Sequence, residues 1–163
     1  MKLSLTFFYT KLKKHFPETE LFSVDESVPM FSSVGILSPG RPASSELLYV
    51  DLLQNVPDDK SKHTTIITIR SRMSLFQGCR LLVLPDETML THVLEFVTDI
   101  FIQYNNWSNQ IYEAIARHGE LQELIEITRQ IIDNPMYVAD GSWKMLASWQ
   151  RWFVERTALD LSQ

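Results

Sequence analysis

The residues with reactive potential are few and scattered. Cys79 lies between Gly78 and Arg80, and a guanidinium beside a thiol lowers its pKa and favours the nucleophilic thiolate. The plainer reading of Cys79 is a small apolar residue at the start of a strand. His15, His63, His92 and His118 are far apart in sequence and form no HExxH pair, so a metal site would have to be assembled in space. Gly35, Gly40, Gly78, Gly119 and Gly141 form neither GxGxxG nor GxxxxGK[ST], so no phosphate-cradling loop is present. There is no Gly-x-Ser-x-Gly nucleophile elbow. The paired acids Asp25-Glu26 and Asp58-Asp59 fall in loop sequence, where carboxylates are normally solvated. These patterns lead us to expect no enzyme, no cofactor and no metal.

Composition narrows the class. The 163 residues are 45% hydrophobic and 21% charged, which is globular composition and enough chain for a real core. Net charge is −5, so the chain as a whole is no nucleic-acid binder by charge. The first 85 residues carry +2 and the remainder −7, and +2 is too small to predict an anionic partner. One cysteine excludes a disulfide framework. No apolar run approaches the roughly 20 residues of a membrane helix. Lys11, Lys13 and Lys14 interrupt the N-terminal apolar stretch too early for a signal peptide, so a cytoplasmic protein is expected.

The elements that must hold these residues are legible in outline. Leu5, Phe8 and Leu12 make one face of a helix over 4–15, with Ser4 as N-cap and Phe16-Pro17 as its end. Candidate strands follow at 20–24, 33–38, 47–50, 64–69 and 79–84. Several are continuous apolar runs, as expected for strands covered on both faces of a small α/β sheet. Residues 38–45 and 57–63 read as surface loops.

A long helix is predicted over 86–118, with Gly119 as its C′ residue. Leu90, Leu94, Val97, Phe101, Tyr104, Ser108, Ile111 and Ile115 are spaced alternately by four and three, the repeat of a coiled-coil seam. Leu90, Leu94, Val97, Phe101, Tyr104 and Ile111 are the expected contacts of a homodimer, the alternative being that this face packs against its own domain. A second helix is expected over 120–132, ended by Asn134-Pro135. Residues 136–139 and 142–147 flank Asp140-Gly141 and predict a hairpin closed by a two-residue turn. Residues 149–159 read as a last helix. Tyr137, Trp143 and Trp149 are candidate lining residues of a ligand pocket, the plainer reading of Trp143 and Trp149 being that they pack the hairpin against the 120–132 helix.

The order amphipathic helix, Asn134-Pro135, strand, Asp140-Gly141, strand, Leu146-Ala147 resembles the opening of the GAF/PAS-like sensor domain in PucR-type bacterial transcriptional regulators. Arg80-Leu81-Leu82-Val83-Leu84-Pro85-Asp86-Glu87, Tyr104-Asn105-Asn106-Trp107 and Met1-Lys2-Leu3-Ser4-Leu5 look like the same family. The resemblance implies three parts: an N-terminal α/β domain over 1–85, a dimerisation or linker helix over 86–118, and a partial sensor segment of helix, β-hairpin and helix over 119–163. The expected class is therefore α+β or α/β.

The resemblance carries no catalytic motif. The implied role is the sensory and dimerisation region of a regulator, with a small-molecule effector and without the helix-turn-helix output domain. No residue here inherits direct DNA binding, and no membrane contact is implied. The alternative is a small-molecule-binding module whose site lies in the α/β domain itself, near Phe22, Tyr49 and the loop 38–45.

Overall fold

The structure, a computed structural model, describes residues 1–23, 29–38, 40–52, 64–132 and 134–149. The chain is mixed α+β and divides into two compact units, Met1–Ile102 and Gln103–Gln163.

The first unit opens with a short strand, β1 (Leu3–Ser4), and helix α1 (Leu5–His15). The Ser4 hydroxyl accepts the Phe7 N–H at 3.2 Å, satisfying one donor that the first helical turn leaves unpaired. Leu5, Phe8 and Leu12 are buried, as their spacing requires. Lys13, Lys14 and His15 occupy the last turn, where the helix dipole favours cations. Strand β2 (Glu20–Phe22) follows. Strand β3 (Met30–Phe31) then pairs antiparallel with β1, placing Leu3 opposite Phe31.

Four strands then add in succession: β4 (Ser33–Ile36), β5 (Leu47–Val50), β6 (Thr65–Ile69) and β7 (Arg80–Leu84). They run parallel, and β2 closes the far edge antiparallel to β7, giving the order β2-β7-β6-β5-β4. No α-helix links β6 to β7. A 3-10 helix, Arg70–Phe76, makes that crossover.

The register sorts the side chains into rows. Phe22, Leu81, Ile66, Tyr49 and Gly35 form one row across all five strands. Leu21, Leu82, Ile67, Val50 and Ile36 form the next, on the opposite face because successive strand residues alternate. The first face builds a cluster in which Tyr49, Ile66, Leu81 and Val83 meet Leu37, Phe76 and Cys79. At Gly35 a Cβ would stand 3.1 Å from the Tyr49 ring, so the glycine gives the tyrosine room over the edge strand. On the other face Leu48, Val50, Ile67, Leu82 and Leu84 are fully buried. Both faces are covered, as the continuous apolar runs predict. Each fully buried aliphatic side chain here contributes about 1.5–3 kcal/mol.

The long helix α2 spans Leu90–Ala116, about 40 Å at 1.5 Å per residue. It starts four residues later than expected, because Pro85–Thr88 forms a turn closed by the Thr88 N–H on the Pro85 carbonyl at 3.1 Å. Asp86 does not cap the helix. Its carboxylate accepts the Ser71 N–H at 2.6 Å instead. The boundary between the units falls inside α2. Val93, Val97, Ile100 and Phe101 belong to the core of the first unit, and Phe101 packs on Phe8 with ring centroids 5.0 Å apart.

In the second unit α2 ends in a Schellman arrangement. The Gly119 N–H reaches the Ala114 carbonyl at 2.7 Å and the His118 N–H reaches Ile115 at 3.0 Å. The left-handed residue is His118, with φ 58°, and not Gly119 as expected. Gly119 is needed for another reason, since a Cβ there would lie 2.9 Å from the Ala114 carbonyl oxygen.

Helix α3 (Leu121–Thr128) follows and stops short of the predicted 132, the chain turning at Arg129–Ile131. Strands β8 (Met136–Ala139) and β9 (Met145–Trp149) pair antiparallel. The predicted two-residue Asp-Gly turn is replaced by a longer loop. Asp140 Oδ1 accepts from the Ser142 N–H, the Ser142 hydroxyl and the Lys144 N–H, and Trp143 takes the left-handed conformation at φ 65°.

Helix α3 guards the outer edge of β9. The Gln122 carboxamide donates to the Ser148 carbonyl at 3.2 Å and accepts the Ser148 N–H at 3.3 Å, standing in for a neighbouring strand. Trp149 ends β9, and the rest of the predicted final helix lies outside the described residues.

Candidate functional site

Open parallel sheets bind ligands beyond the carboxyl ends of their strands. In the first unit that end carries a buried polar centre. Asp51 follows β5 and continues the ladder through its N–H to the Ile67 carbonyl at 2.9 Å. The residue is 2% exposed. Arg72 donates to it twice, from Nε at 2.7 Å and from Nη2 at 3.0 Å, and the Thr68 hydroxyl adds a bond at 2.9 Å. This bidentate pair raises the Arg72 pKa, chiefly through the hydrogen bond to Asp51. Together with the bond from the Ser71 N–H to Asp86, it fastens the start of the 3-10 crossover to the sheet.

Next to the crossover lies a cavity of about 470 Å³ lined by Phe22, Arg70, Met73, Ser74, Phe76, Gln77, Gly78, Cys79 and Leu81. Phe22 and Leu81 stand side by side in one sheet row and supply apolar wall. Arg70 is the charged residue of the lining, and its Nη2 also donates to Glu20 at 2.7 Å on the exposed edge. The size suits a small organic molecule, and apolar walls with a few placed polar groups are the usual make-up of such sites.

A second cavity of about 460 Å³ lies where α1 ends and α2 begins. His15, Glu18, Glu87, His92 and Phe96 line it, and the His15 ring stacks on Phe96 at 4.9 Å. The fold thus brings together two histidines that are remote in sequence. No group of three or more His, Cys, Asp or Glu poised for a metal occurs among the described residues.

The predicted site residues fall in several places. Phe22 lines the first cavity. Tyr49 is buried beneath the same face, where its hydroxyl accepts the Ser44 N–H at 2.9 Å and fixes the loop that follows β4. Cys79 lines the cavity wall, and Arg80 begins the strand on the opposite face from Leu81. His118 caps α2. His63, Asp25-Glu26 and Asp58-Asp59 lie outside the described residues.

The dimer seam is corrected at two positions. Val97 and Phe101 are buried in the core of their own unit. Leu90, Leu94, Tyr104 and Ile111 are half-buried. In α2 the strongly exposed apolar residues are Ile102, Tyr112 and Ile115.

The guessed pocket residues Tyr137 and Trp143 are exposed, at 65% and 84%, and neither they nor Trp149 line either cavity. The Asp51–Thr68–Arg72 centre was missed, because its members come from two strand ends and a crossover. Its one local signal is an aspartate directly after the apolar run Leu47–Val50.

The carboxylates imply a defined acid sensitivity. The Ser71 N–H holds Asp86 below its ordinary value, and the Ser142 hydroxyl does the same most strongly for Asp140. A depressed folded-state value gives stability that is present above the ordinary aspartate range, about 3.9. That stability is lost as pH falls through the lower folded value. Urea midpoints measured from pH 6 to pH 2 should therefore fall in the acid range, and fall less in Asp86→Ala. An identical acid profile in the variant would show that Asp86 contributes nothing.

Comparison of the chain with protein-family models, with curated proteins and with solved structures finds no match. Among the described residues no helix is long and apolar enough to cross a membrane.

Proposed function

We propose that this chain is the sensory and dimerisation region of a bacterial transcriptional regulator of the PucR type, with the effector site in its N-terminal α/β unit. The observation that supports this reading is the division of labour along α2. Its first half supplies Val93, Val97, Ile100 and Phe101 to the core of the first unit, and its second half belongs to the second unit. A ligand that repacks the first unit shifts the helix, and a continuous helix transmits the shift. The cavity beside β2 gives the ligand a place.

The dimer contact is proposed at the exposed part of α2, where Tyr112 is 69% and Ile115 54% exposed at helical neighbour spacing, next to half-buried Ile111. The double variant Tyr112→Glu/Ile115→Glu should be monomeric by light scattering on a sizing column. Its melting temperature at low concentration should match the wild-type monomer. A wild-type oligomer mass in the variant would refute this contact.

A further inference from the structure

We infer that the cavity beside β2 binds a small monocarboxylate with an apolar body, its carboxylate held by Arg70. This rests on the reading of the first unit as an effector-binding module. The apolar body follows from the walls. Phe22 and Leu81 form one side, and Met73 and Phe76, from the 3-10 crossover, form another. Ser74 and Gln77 add neutral hydrogen-bonding groups, and neither selects a charge.

The carboxylate follows from Arg70, the charged member of the lining. Its planar guanidinium presents five donors in a fork that matches a carboxylate. One bond goes to Glu20, at 2.7 Å, with both side chains about half exposed. Such a solvent-screened pair contributes little, so exchange of Glu20 for a ligand carboxylate costs little. A ligand carboxylate that takes two parallel N–H donors of the guanidinium is held more strongly than by a single bond. Asp86, whose carboxylate accepts the Ser71 N–H, also interacts electrostatically with Arg70 but does not line the cavity. The cavity at the α1–α2 junction makes the contrast. It mixes His15 and His92 with Glu18 and Glu87 and selects neither sign.

The crossover holding Arg70 and Met73 is pinned at Ser71 and Arg72, so the cavity is built before a ligand arrives. Occupying it would bear on Phe76 and Leu81, members of the buried cluster on that face, and so connect binding to the core.

The test uses 4-phenylbutyrate and its neutral amide as probes. Affinity is measured by calorimetry, and the site is located by amide chemical-shift changes. The acid is expected to bind about tenfold more tightly than the amide and to shift resonances of Phe22, Arg70–Gln77 and Leu81. Arg70→Ala should abolish the preference for the acid. Glu20→Gln, which removes the competing carboxylate and leaves Arg70 in place, should tighten acid binding about threefold. Equal affinity for acid and amide, or an unchanged preference in Arg70→Ala, overturns the carboxylate assignment while the effector-site reading stands. No shifted resonance at the cavity with either probe overturns both.

Discussion

Val97→Asp should unfold the first unit. The valine side chain is fully buried on α2, in the helix face that also carries Val93, Ile100 and Phe101. The substitution removes about 1.5–3 kcal/mol of apolar burial. It also leaves a carboxylate without a partner in the core, which costs several kcal/mol more even after relaxation. A domain of this size is typically stable by about 5–15 kcal/mol, so the sum removes most or all of it. The control is Ile102→Asp, five residues further along the same helix at a residue 53% exposed. It should alter stability by no more than about 0.5 kcal/mol. Circular dichroism during urea titration separates the two. A Val97→Asp midpoint equal to that of Ile102→Asp would mean that Val97 faces solvent, and would restore it to an intermolecular seam.

The second large effect is expected at Asp51. In Asp51→Ala the guanidinium of Arg72 and the hydroxyl of Thr68 lose a shared acceptor whose side chain is 1% exposed. Breaking a buried pair by removing one partner costs about 3–5 kcal/mol, because the remaining charge loses its close counter-charge. Arg72 retains a quarter of its exposure and regains some water, so the lower end is expected. Asp51→Asn keeps the shape and one acceptor and should lose less. Thr68→Val, which removes one neutral donor, should cost about 1 kcal/mol. The ranking Asp51→Ala, then Asp51→Asn, then Thr68→Val, read from urea midpoints, is the signature of a charge-paired centre. A loss below about 1 kcal/mol in Asp51→Ala would show that the pair does not hold the crossover. Because Arg72 sits two residues from Arg70, the same variant should weaken ligand binding in the neighbouring cavity.

What the sequence determined by itself is local. Ser4 before Leu5, Phe8 and Leu12 specifies a capped helix, because the cap and the apolar spacing act within three turns. Phe16-Pro17 ends it through the steric restriction on the residue before proline. The β-branched run Thr64–Ile69 specifies a strand, and the apolar runs at 47–50 and 80–84 specify burial on both faces. The mixed α+β class follows from these.

The tertiary structure decided which neighbours those elements find. Strand order, the antiparallel β2 at the edge and the crossover by a 3-10 helix depend on contacts between residues tens of positions apart, which no local pattern encodes. The α2 repeat shows the same limit. A stripe at alternating spacings of three and four fits a partner helix or a chain's own core equally well. Phe101 went to the core because α1 supplies Phe8 at the right place, and Val97 is buried on the same helix. Asp140-Gly141 announced a turn, but the Asp140 carboxylate reorganised it around Ser142 and Lys144, a choice made by three hydrogen bonds to one oxygen. Asp51 and Arg72 are unremarkable in the sequence. They form a centre because adjacent parallel strands end together, and a buried charge at such an end is stable when a partner of opposite charge is brought to it.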